Sequence, residues 1–301
     1  MRAGLDIGGT KIDAAAVDET GRVVEILRVP TGFGERAVLA SAAAAVEGLR
    51  RLTGAPVDAV GVGIPGLVDP ATGRVRHAVN LGFADTDFGA RLEALTGSPV
   101  TVENDVNAAA LGAYSRLGLE GPVGYLNLGT GLAAGIVLDG RLWRGSRGVS
   151  GEIGHLPVDP LGAVCACGQR GCLETTASGG AIARLWPSEH AYPAQALFAA
   201  AAAGDAEAVR VREVVLEGVA AAVRILVLTV DVESVVIGGG LSHVGEPLLE
   251  GVRRVLDRWA ASSSFLASLD LGRRIRLLPE GLHVAAVGAA MLGRPAGVLH
   301  P

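Results

Sequence analysis

The sequence of 301 residues is poor in cysteine, lysine and aromatic side chains, the last making up 4% of it. Its three cysteines are an odd number, so a disulfide framework would leave one thiol over, and nothing else indicates an oxidising compartment. No run reaches the roughly 18 apolar residues of a membrane span. The N-terminus enters a strand pattern at once, without room for a signal peptide. We therefore expect a soluble cytoplasmic protein.

Basic residues are also in the minority. The net charge is −5, Lys11 is the one lysine, and no run of basic residues occurs. An acidic chain without a basic patch has no general attraction for nucleic acid or for an anionic lipid surface. We expect neither a nucleic-acid partner nor a membrane partner. The length allows two domains, each with its own core.

Short β-rich runs alternate with alanine-rich stretches, a pattern typical of an α/β protein. The pattern predicts strands within 5–17 and at 22–29, 59–64, 99–102, 123–128, 134–138 and 234–237, and helices over 35–52, 108–115, 193–228 and 284–292. A strand, a Gly-Thr turn and a second strand occur near residue 10 and again near residue 130. We interpret this as a weak internal repeat, with two related halves facing a shared cleft.

All the cysteines lie in one glycine-bearing loop, as Cys165, Cys167 and Cys172, and His155 precedes them closely. This spacing lets three sulfurs converge, with the imidazole as the fourth ligand. Three Cys and one His form a closed tetrahedral zinc set, which stabilises structure rather than performing chemistry. Ordinary buried or free thiols are the alternative. The clustering of every cysteine beside a histidine favours zinc.

Two glycine turns are candidates for phosphate binding, because glycine lets the backbone approach an oligophosphate and point N–H groups at it. Threonine and lysine side chains add donors, and the aspartate can hold a magnesium-bound water. Simple hairpin turns are the alternative, but two such turns at matching places favour phosphate. A triglycine after the last strand suits an adenosine lying flat on backbone. The residues concerned are Asp6, Gly8, Gly9, Thr10, Lys11, Gly129, Thr130, Gly131, Gly238, Gly239 and Gly240.

The segment Glu103-Asn104-Asp105 lies between a predicted strand and a predicted helix. A carboxylate beside a carboxamide suits a polyhydroxylated substrate: Asn104 can donate to and accept from hydroxyls, and Asp105 can accept a proton from an attacking hydroxyl. A helix N-cap is the alternative, because asparagine and aspartate are both favoured there.

At these residues the chain resembles the ROK family of sugar kinases and related repressors, within the hexokinase/actin-like superfamily, over nearly its whole length. The predicted first strand leaves no room for the winged helix-turn-helix of the repressor branch, which favours the kinase branch. The matching motifs are Asp6 to Lys11, Gly63-Ile-Pro-Gly66 with Asp69, Glu103-Asn-Asp-Val-Asn107, Gly129-Thr-Gly131, Gly151-Glu-Ile-Gly-His155 and Cys165 to Glu174. The last two together resemble a highly specific signature.

The resemblance implies a two-lobed actin-like ATPase (ribonuclease H-like) α/β fold with an interdomain cleft and a structural zinc loop. It implies a small N-terminal domain over 1–112 and a larger domain with the zinc loop over 113–283. A C-terminal helix at about 284–301 would pack back on the first domain. The family also suggests a homodimer.

The implied activity is ATP-dependent phosphorylation of a hexose at its 6-hydroxyl, chiefly glucose to glucose 6-phosphate, with Mg²⁺ and structural Zn²⁺. Asp105 would be the catalytic base, and the two glycine turns would bind phosphates. Two alternatives stay open: an N-acetylglucosamine or N-acetylmannosamine kinase, and a catalytically silent sugar sensor. The residues implied to bind sugar are Gly66, Asn80, Asn104, Asp105, Glu152, His155 and Glu174; those implied to bind metal are His155, Cys165, Cys167 and Cys172.

The chain departs from the family pattern after the second glycine turn. Where many relatives have more glycine, it has Leu132-Ala133-Ala134, whose methyl groups would restrict the approach of a ligand to the backbone. Asn80 also lacks the proline that often precedes it.

Overall fold

The structure, a computed structural model, describes residues 1–293. The last part of the predicted closing helix, 294–301, lies outside the described residues. The chain forms two compact units: unit 1 comprises Met1–Glu120, Gly135–Val149 and Glu280–Pro301, and unit 2 comprises Gly121–Ala134 and Ser150–Pro279. The division into domains at 112 and 283 stays a prediction. Within residues 1–293, no helix combines the length and apolarity that crossing a membrane requires.

A five-stranded sheet in unit 1 has the order β3-β2-β1-β4-β8, and a small sheet has the order β5-β6-β7. Strands β1, β4 and β8 run parallel, whereas β2 is antiparallel to both of its neighbours. The elements are β1 (Arg2–Ile7), β2 (Lys11–Val17), β3 (Val23–Pro30), α1 (Glu35–Thr53), β4 (Ala59–Ile64), β5 (Leu67–Asp69), β6 (Arg74–Arg76), β7 (Asp85–Thr86), α2 (Phe88–Thr96), β8 (Val100–Asn104) and α3 (Asp105–Arg116).

The second five-stranded sheet has the order β11-β10-β9-β12-β13. Parallel pairing joins β9 to β12 and β12 to β13. The elements from here on are β9 (Val123–Leu128), β10 (Leu132–Leu138), β11 (Arg141–Leu142), α4 (Gly179–Leu185), α5 (Pro193–Ala202), α6 (Ala206–Val230), β12 (Ser234–Gly238), α7 (Glu246–Ala261), α8 (Ser264–Ala267), α9 (Leu271–Arg274), β13 (Ile275–Leu277) and α10 (Val284–Leu292).

The two sheets have the same strand order, third-second-first-fourth-fifth, as the internal repeat predicts. The α/β prediction is confirmed, and the strands expected at 59–64 and 123–128 have those bounds. The helical region expected over 193–228 is interrupted near Gly204, and Asp205 caps α6 by accepting a hydrogen bond from the Ala208 N–H at 2.7 Å. The helix expected from Ala108 begins earlier, at Asp105.

The central strands of unit 1 are buried on both faces, so they are nearly continuous apolar runs. Successive side chains point to opposite faces of a strand. Along β2, Ala14 and Ala16 join the large core that includes α1, whereas Ala15 and Val17 pack with Ala286 and Ala290 of α10. The helix predicted near the end of the chain therefore packs on the sheet that the N-terminal strands form.

Helix α10 lies very close to its neighbours because glycines face it. A Cβ placed on Gly61 of β4 would lie 1.7 Å from the Ala289 carbonyl oxygen. A Cβ on Gly288 would lie 1.8 Å from the Ala108 carbonyl oxygen of α3. No side chain fits at either place without a shift of the backbone.

We expect Gly288→Ala to destabilise the protein, because the added methyl group would overlap backbone atoms that cannot move independently. Overpacking of this kind typically costs about 1–3 kcal/mol. Gly272→Ala is the matched control, because its nearest neighbour would be the Asp257 Oδ1 at an ordinary 3.4 Å. Urea unfolding checks the expectation: equal midpoints for Gly288→Ala and the parent chain would contradict it.

Candidate active site

The parallel strands of unit 1 bring three sequence motifs to one edge. In the strand register Asp6 pairs with Gly63, and Gly63 pairs with Glu103. The segments at the ends of these strands are the first glycine turn, Pro65-Gly66 and Asn104-Asp105. The carboxyl ends of parallel strands are the usual position for ligand binding in α/β proteins.

Asn104 is the N-cap of α3. Its Oδ1 accepts hydrogen bonds from the N–H groups of Val106 at 2.9 Å and Asn107 at 3.2 Å, while its Nδ2 lies 3.4 Å from the Gly66 carbonyl oxygen. The capping alternative thus applies to Asn104. Asp105 is the first residue of the helix, so its carboxylate is not the cap and lies at the positive end of the helix dipole.

Glu103 and Arg144 form an ion pair that no sequence motif marks, with a buried carboxylate and a partly exposed guanidinium. The Glu103 side chain is 4% exposed and accepts a hydrogen bond from the Arg144 Nε at 2.5 Å. Its other oxygen accepts bonds from the Asn104 N–H and the Asn107 Nδ2, both at 3.0 Å. No local pattern indicates this pairing, because Arg144 is remote in sequence.

Gly66 lies beside the α3 cap, and Asn80 lies near the first glycine turn. Gly66 has φ +115°, and a Cβ there would lie 2.6 Å from the Arg76 carbonyl oxygen, so no other residue fits this turn. Asn80 belongs to a 3₁₀ turn, Val79–Leu81, and is exposed. Its carbonyl oxygen lies 3.7 Å from the position of a Cβ on Gly9.

The first glycine turn is fixed by a buried threonine that the sequence analysis missed. Thr31 Oγ1 donates to the Gly8 carbonyl oxygen at 2.6 Å, and its N–H donates to the Thr10 carbonyl oxygen at 3.2 Å. The Gly8 N–H also donates to the Lys11 carbonyl oxygen at 2.9 Å. The Lys11 ammonium is half-exposed and lies 3.5 Å from the Asp13 carboxylate.

Asp6 is a strongly perturbed titratable group at this edge. Burial, followed by the negative charges of Asp105 and Asp13, raises the pKa of Asp6 from 3.8 to about 7, against a lowering effect of Lys11. Two carboxylates that repel each other form a place where a cation is favoured.

In unit 2, the second glycine turn is tied to α4 through its carbonyl groups. The Gly129 carbonyl oxygen accepts a bond from the Gly179 N–H at 2.8 Å, and that of Thr130 accepts one from the Gly180 N–H at 3.0 Å. Leu132 and Ala134 are each 3% exposed and belong to the core, whereas Ala133 between them is partly exposed.

The triglycine lies at the same sheet edge as this turn, because Gly238 at the end of β12 pairs with Asn127 near the end of β9. Gly239 takes φ +80° where the chain leaves the strand. Apart from its own turn and chain neighbours, no heavy atom of residues 1–293 lies within 4 Å of the position of a Cβ on Gly240. A flat ligand therefore has room to approach the backbone there.

The four predicted metal ligands come together. One ligand atom from each of His155, Cys165, Cys167 and Cys172 lies within 4.8 Å of all the others. The Cys167 and Cys172 sulfurs are 3.6 Å apart, and the Cys165 sulfur is 3.8 Å from the His155 Nδ1. A tetrahedron with zinc–sulfur bonds of about 2.3 Å has edges of about 3.8 Å, so the cluster fits a tetrahedral zinc ion.

The His155 ring connects this cluster to two carboxylates. Its Nδ1 faces the sulfurs and lies 3.6 Å from the Glu174 Oε1, while its Nε2 lies 4.0 Å from the Glu152 Oε2. The Glu174 Oε2 lies 2.9 Å from the position of a Cβ on Gly131. The metal cluster, Glu174 and the second glycine turn are therefore contiguous, a link that the sequence did not reveal.

Comparison with known proteins agrees with this arrangement. The ROK family model matches residues 2–295. A glucokinase of Streptomyces coelicolor is 34% identical, with 98% of both chains covered. An N-acetylmannosamine kinase of Citrobacter koseri is 34% identical over 84% of this chain and 87% of its own length. A Streptomyces griseus ROK glucokinase, solved with glucose and AMPPNP, is 33% identical, covers 97% of this chain and 98% of its own, and superposes with a TM-score of 0.78.

We expect Asp6→Asn to change how stability depends on pH. Between pH 3.8 and about 7 the folded chain holds a proton on Asp6 that the unfolded chain has lost, so stability falls as the pH rises through this window and stays lower above it. Asparagine removes this contribution. Without Mg²⁺ or nucleotide, the melting temperature of the variant minus that of the parent should rise from pH 5 to pH 8. The exposed Glu19→Gln change is the control, and a constant difference at every pH would contradict the expectation.

Proposed function

Because the chain belongs to the ROK family, we propose that it is an ATP-dependent sugar kinase that phosphorylates a hexose at the 6-hydroxyl, glucose in the first place. The observation that carries the proposal is Asp105 at the first position of α3, directly after the capping residue Asn104 and at the carboxyl ends of the parallel strands. The full-length similarity to glucokinases supports glucose as the substrate, and the AMPPNP complex of the Streptomyces griseus enzyme supports ATP as the donor.

In unit 1, Asp105 would take the proton of the 6-hydroxyl as its oxygen attacks the γ-phosphorus and ADP leaves. The Oδ1 of Asn104 is used in capping α3, so its Nδ2 would donate to a sugar hydroxyl. Gly66 and Asn80 would line the sugar site. Asp6 would hold a water of Mg²⁺, which neutralises phosphate charge when bound.

In unit 2, Glu152, His155 and Glu174 would bind the other sugar hydroxyls, His155 through its Nε2 because its Nδ1 faces the sulfurs. The turns at Gly9-Thr10 and Thr130-Gly131 would bind phosphates by backbone N–H groups and hydroxyls. Lys11 and the remaining glycines of the two turns, Gly8 and Gly129, would contribute to the same sites. The triglycine Gly238, Gly239 and Gly240 would carry the adenosine.

A zinc ion held by His155, Cys165, Cys167 and Cys172 would be structural, because four protein ligands leave no position for substrate. The thiol of Cys165 is buried, which raises its pKa, and a bound cation favours the thiolate form instead. The ion would fix the ring of His155 and the loop that ends at Glu174, and so connect metal binding to sugar affinity.

An N-acetylmannosamine or N-acetylglucosamine kinase is the second candidate, favoured by the similarity to the Citrobacter koseri enzyme. The two activities differ in the room for an acetamido group at C2 of the sugar. A silent sugar sensor is a third reading, against which Asp105 and both glycine turns argue. A homodimer remains an expectation from the family.

We expect Asp105→Asn to lower turnover about 10²–10⁴-fold while sparing sugar binding, because the amide cannot accept the proton of the attacking hydroxyl. ADP release with Mg-ATP is measured across glucose, mannose, fructose, N-acetylglucosamine and N-acetylmannosamine. The exposed Asp257→Asn change is the matched control. Near-full activity of Asp105→Asn would refute the role of base, and silence of the parent chain on every sugar, with sugar-dependent thermal shifts, would indicate a sensor.

We expect Cys167→Ala to lower bound zinc from about one ion per chain to a small fraction, because three ligands hold zinc less tightly than a closed set. Metal content by mass spectrometry and sugar binding by calorimetry are the measurements, and both should fall together. Ala166→Ser, a change in the same loop at a residue that is not a ligand, is the control. Unchanged zinc in Cys167→Ala would refute the ligand assignment.

A further inference from the structure

The proposed function does not use the ion pair of Glu103 and Arg144, in which the carboxylate is buried and the Arg144 side chain is 36% exposed. Among the ion pairs found within residues 1–293, the Glu103 carboxylate is the most buried one, with 4% of its side chain exposed. A surface pair adds little stability, but removing one partner of a buried pair leaves a charge that the protein cannot solvate. Replacement of Arg144 would therefore leave the Glu103 carboxylate without its charged partner.

Glu103 connects Arg144 to the candidate base, Asp105, through hydrogen bonds to residues on either side of it. Its Oε1 accepts bonds from the backbone N–H of Asn104 and the side chain of Asn107, each at 3.0 Å. These two residues stand on either side of Asp105 in the first turn of α3. Asn104 is also the cap of that turn. The orientation of Asp105 thus depends on where the Glu103 carboxylate lies.

Arg144 is itself held in place. The preceding residue, Trp143, donates its N–H to the Ile136 carbonyl oxygen of β10 at 2.8 Å. Strand β10 in turn lies against α3, since a Cβ on Gly135 would be 2.8 Å from the Val106 carbonyl oxygen. The backbone next to Arg144 is therefore joined to the part of β10 that lies against the first turn of α3.

We propose that Arg144 is a positioning residue for phosphoryl transfer: through Glu103 it holds the first turn of α3 and balances the negative charge around Asp105. This inference rests on the proposed function. The charged groups at this edge include the carboxylates of Asp6, Asp13 and Glu103 and the cations of Lys11 and Arg144. Loss of Arg144 would leave the Glu103 carboxylate without its partner and make the surroundings of the first turn of α3 more negative.

The test compares Arg144→Met, Arg144→Lys and the double variant Glu103→Gln/Arg144→Met with the parent chain. Arg144→Met should lower kcat roughly ten- to a hundred-fold, because a small misplacement of a catalytic group has this effect. Its KM for ATP should change little. The acid limb of its kcat–pH profile should move up by roughly one pH unit. Arg144→Lys should recover part of kcat. The double variant should have a higher kcat than Arg144→Met, because it leaves no unpaired carboxylate at position 103.

Arg258→Met is the control, because Arg258 pairs with Glu217 at 2.6 Å across two helices with both side chains more than half exposed. It should keep the parent kcat and pH profile. The proposal is overturned if Arg144→Met keeps both, even with a lowered melting temperature. If Arg144→Met does not fold, parent-like kcat and pH profiles in the other two variants overturn it.

Failure of the proposed function has a different signature. It would appear as a parent chain without turnover on any sugar, or as an Asp105→Asn variant with full turnover. Failure of the present inference would appear in an active parent whose Asp105→Asn variant is inactive and whose Arg144→Met variant is not impaired.

Discussion

The first turn of α3 is the element on which unit 1 depends for chemistry. A helix begins with N–H groups that have no partner in the helix, and here Asn104 satisfies two of them. Because the cap is the residue before Asp105, the aspartate is the first residue of the helix and does not serve as its cap. The same cap reaches the Gly66 carbonyl oxygen, so the turn after β4 and the helix after β8 share one hydrogen-bonding residue.

Much of this arrangement could be predicted from the sequence, because its signals are local. Short β-rich runs bounded by turn residues located β4 and β9, and the clustering of cysteines around Cys167 indicated a metal site. The choice between cap and catalyst for Asn104 and Asp105 could not be made from propensity, since both residues favour the same position. Only the backbone shows which of them is the cap.

The parts of the site that the sequence did not predict are contacts between residues far apart in the chain. Thr31 holds the first glycine turn and Arg144 holds Glu103, yet neither has a neighbouring motif that marks it. The contact of Glu174 with Gly131 is of the same kind. Such pairings follow from the strand register, which a pattern of hydrophobic residues specifies only when the strand order is known.

The position of α10 has a consequence for synthesis of the chain. Ala286 and Ala290 complete a core with Ala15 and Val17, which leave the ribosome long before them. At typical elongation rates of about 5–20 residues per second, the interval is on the order of tens of seconds. During that time the part of the sheet face that includes Ala15 and Val17 has no covering helix. The nascent chain therefore exposes these apolar side chains until translation reaches α10.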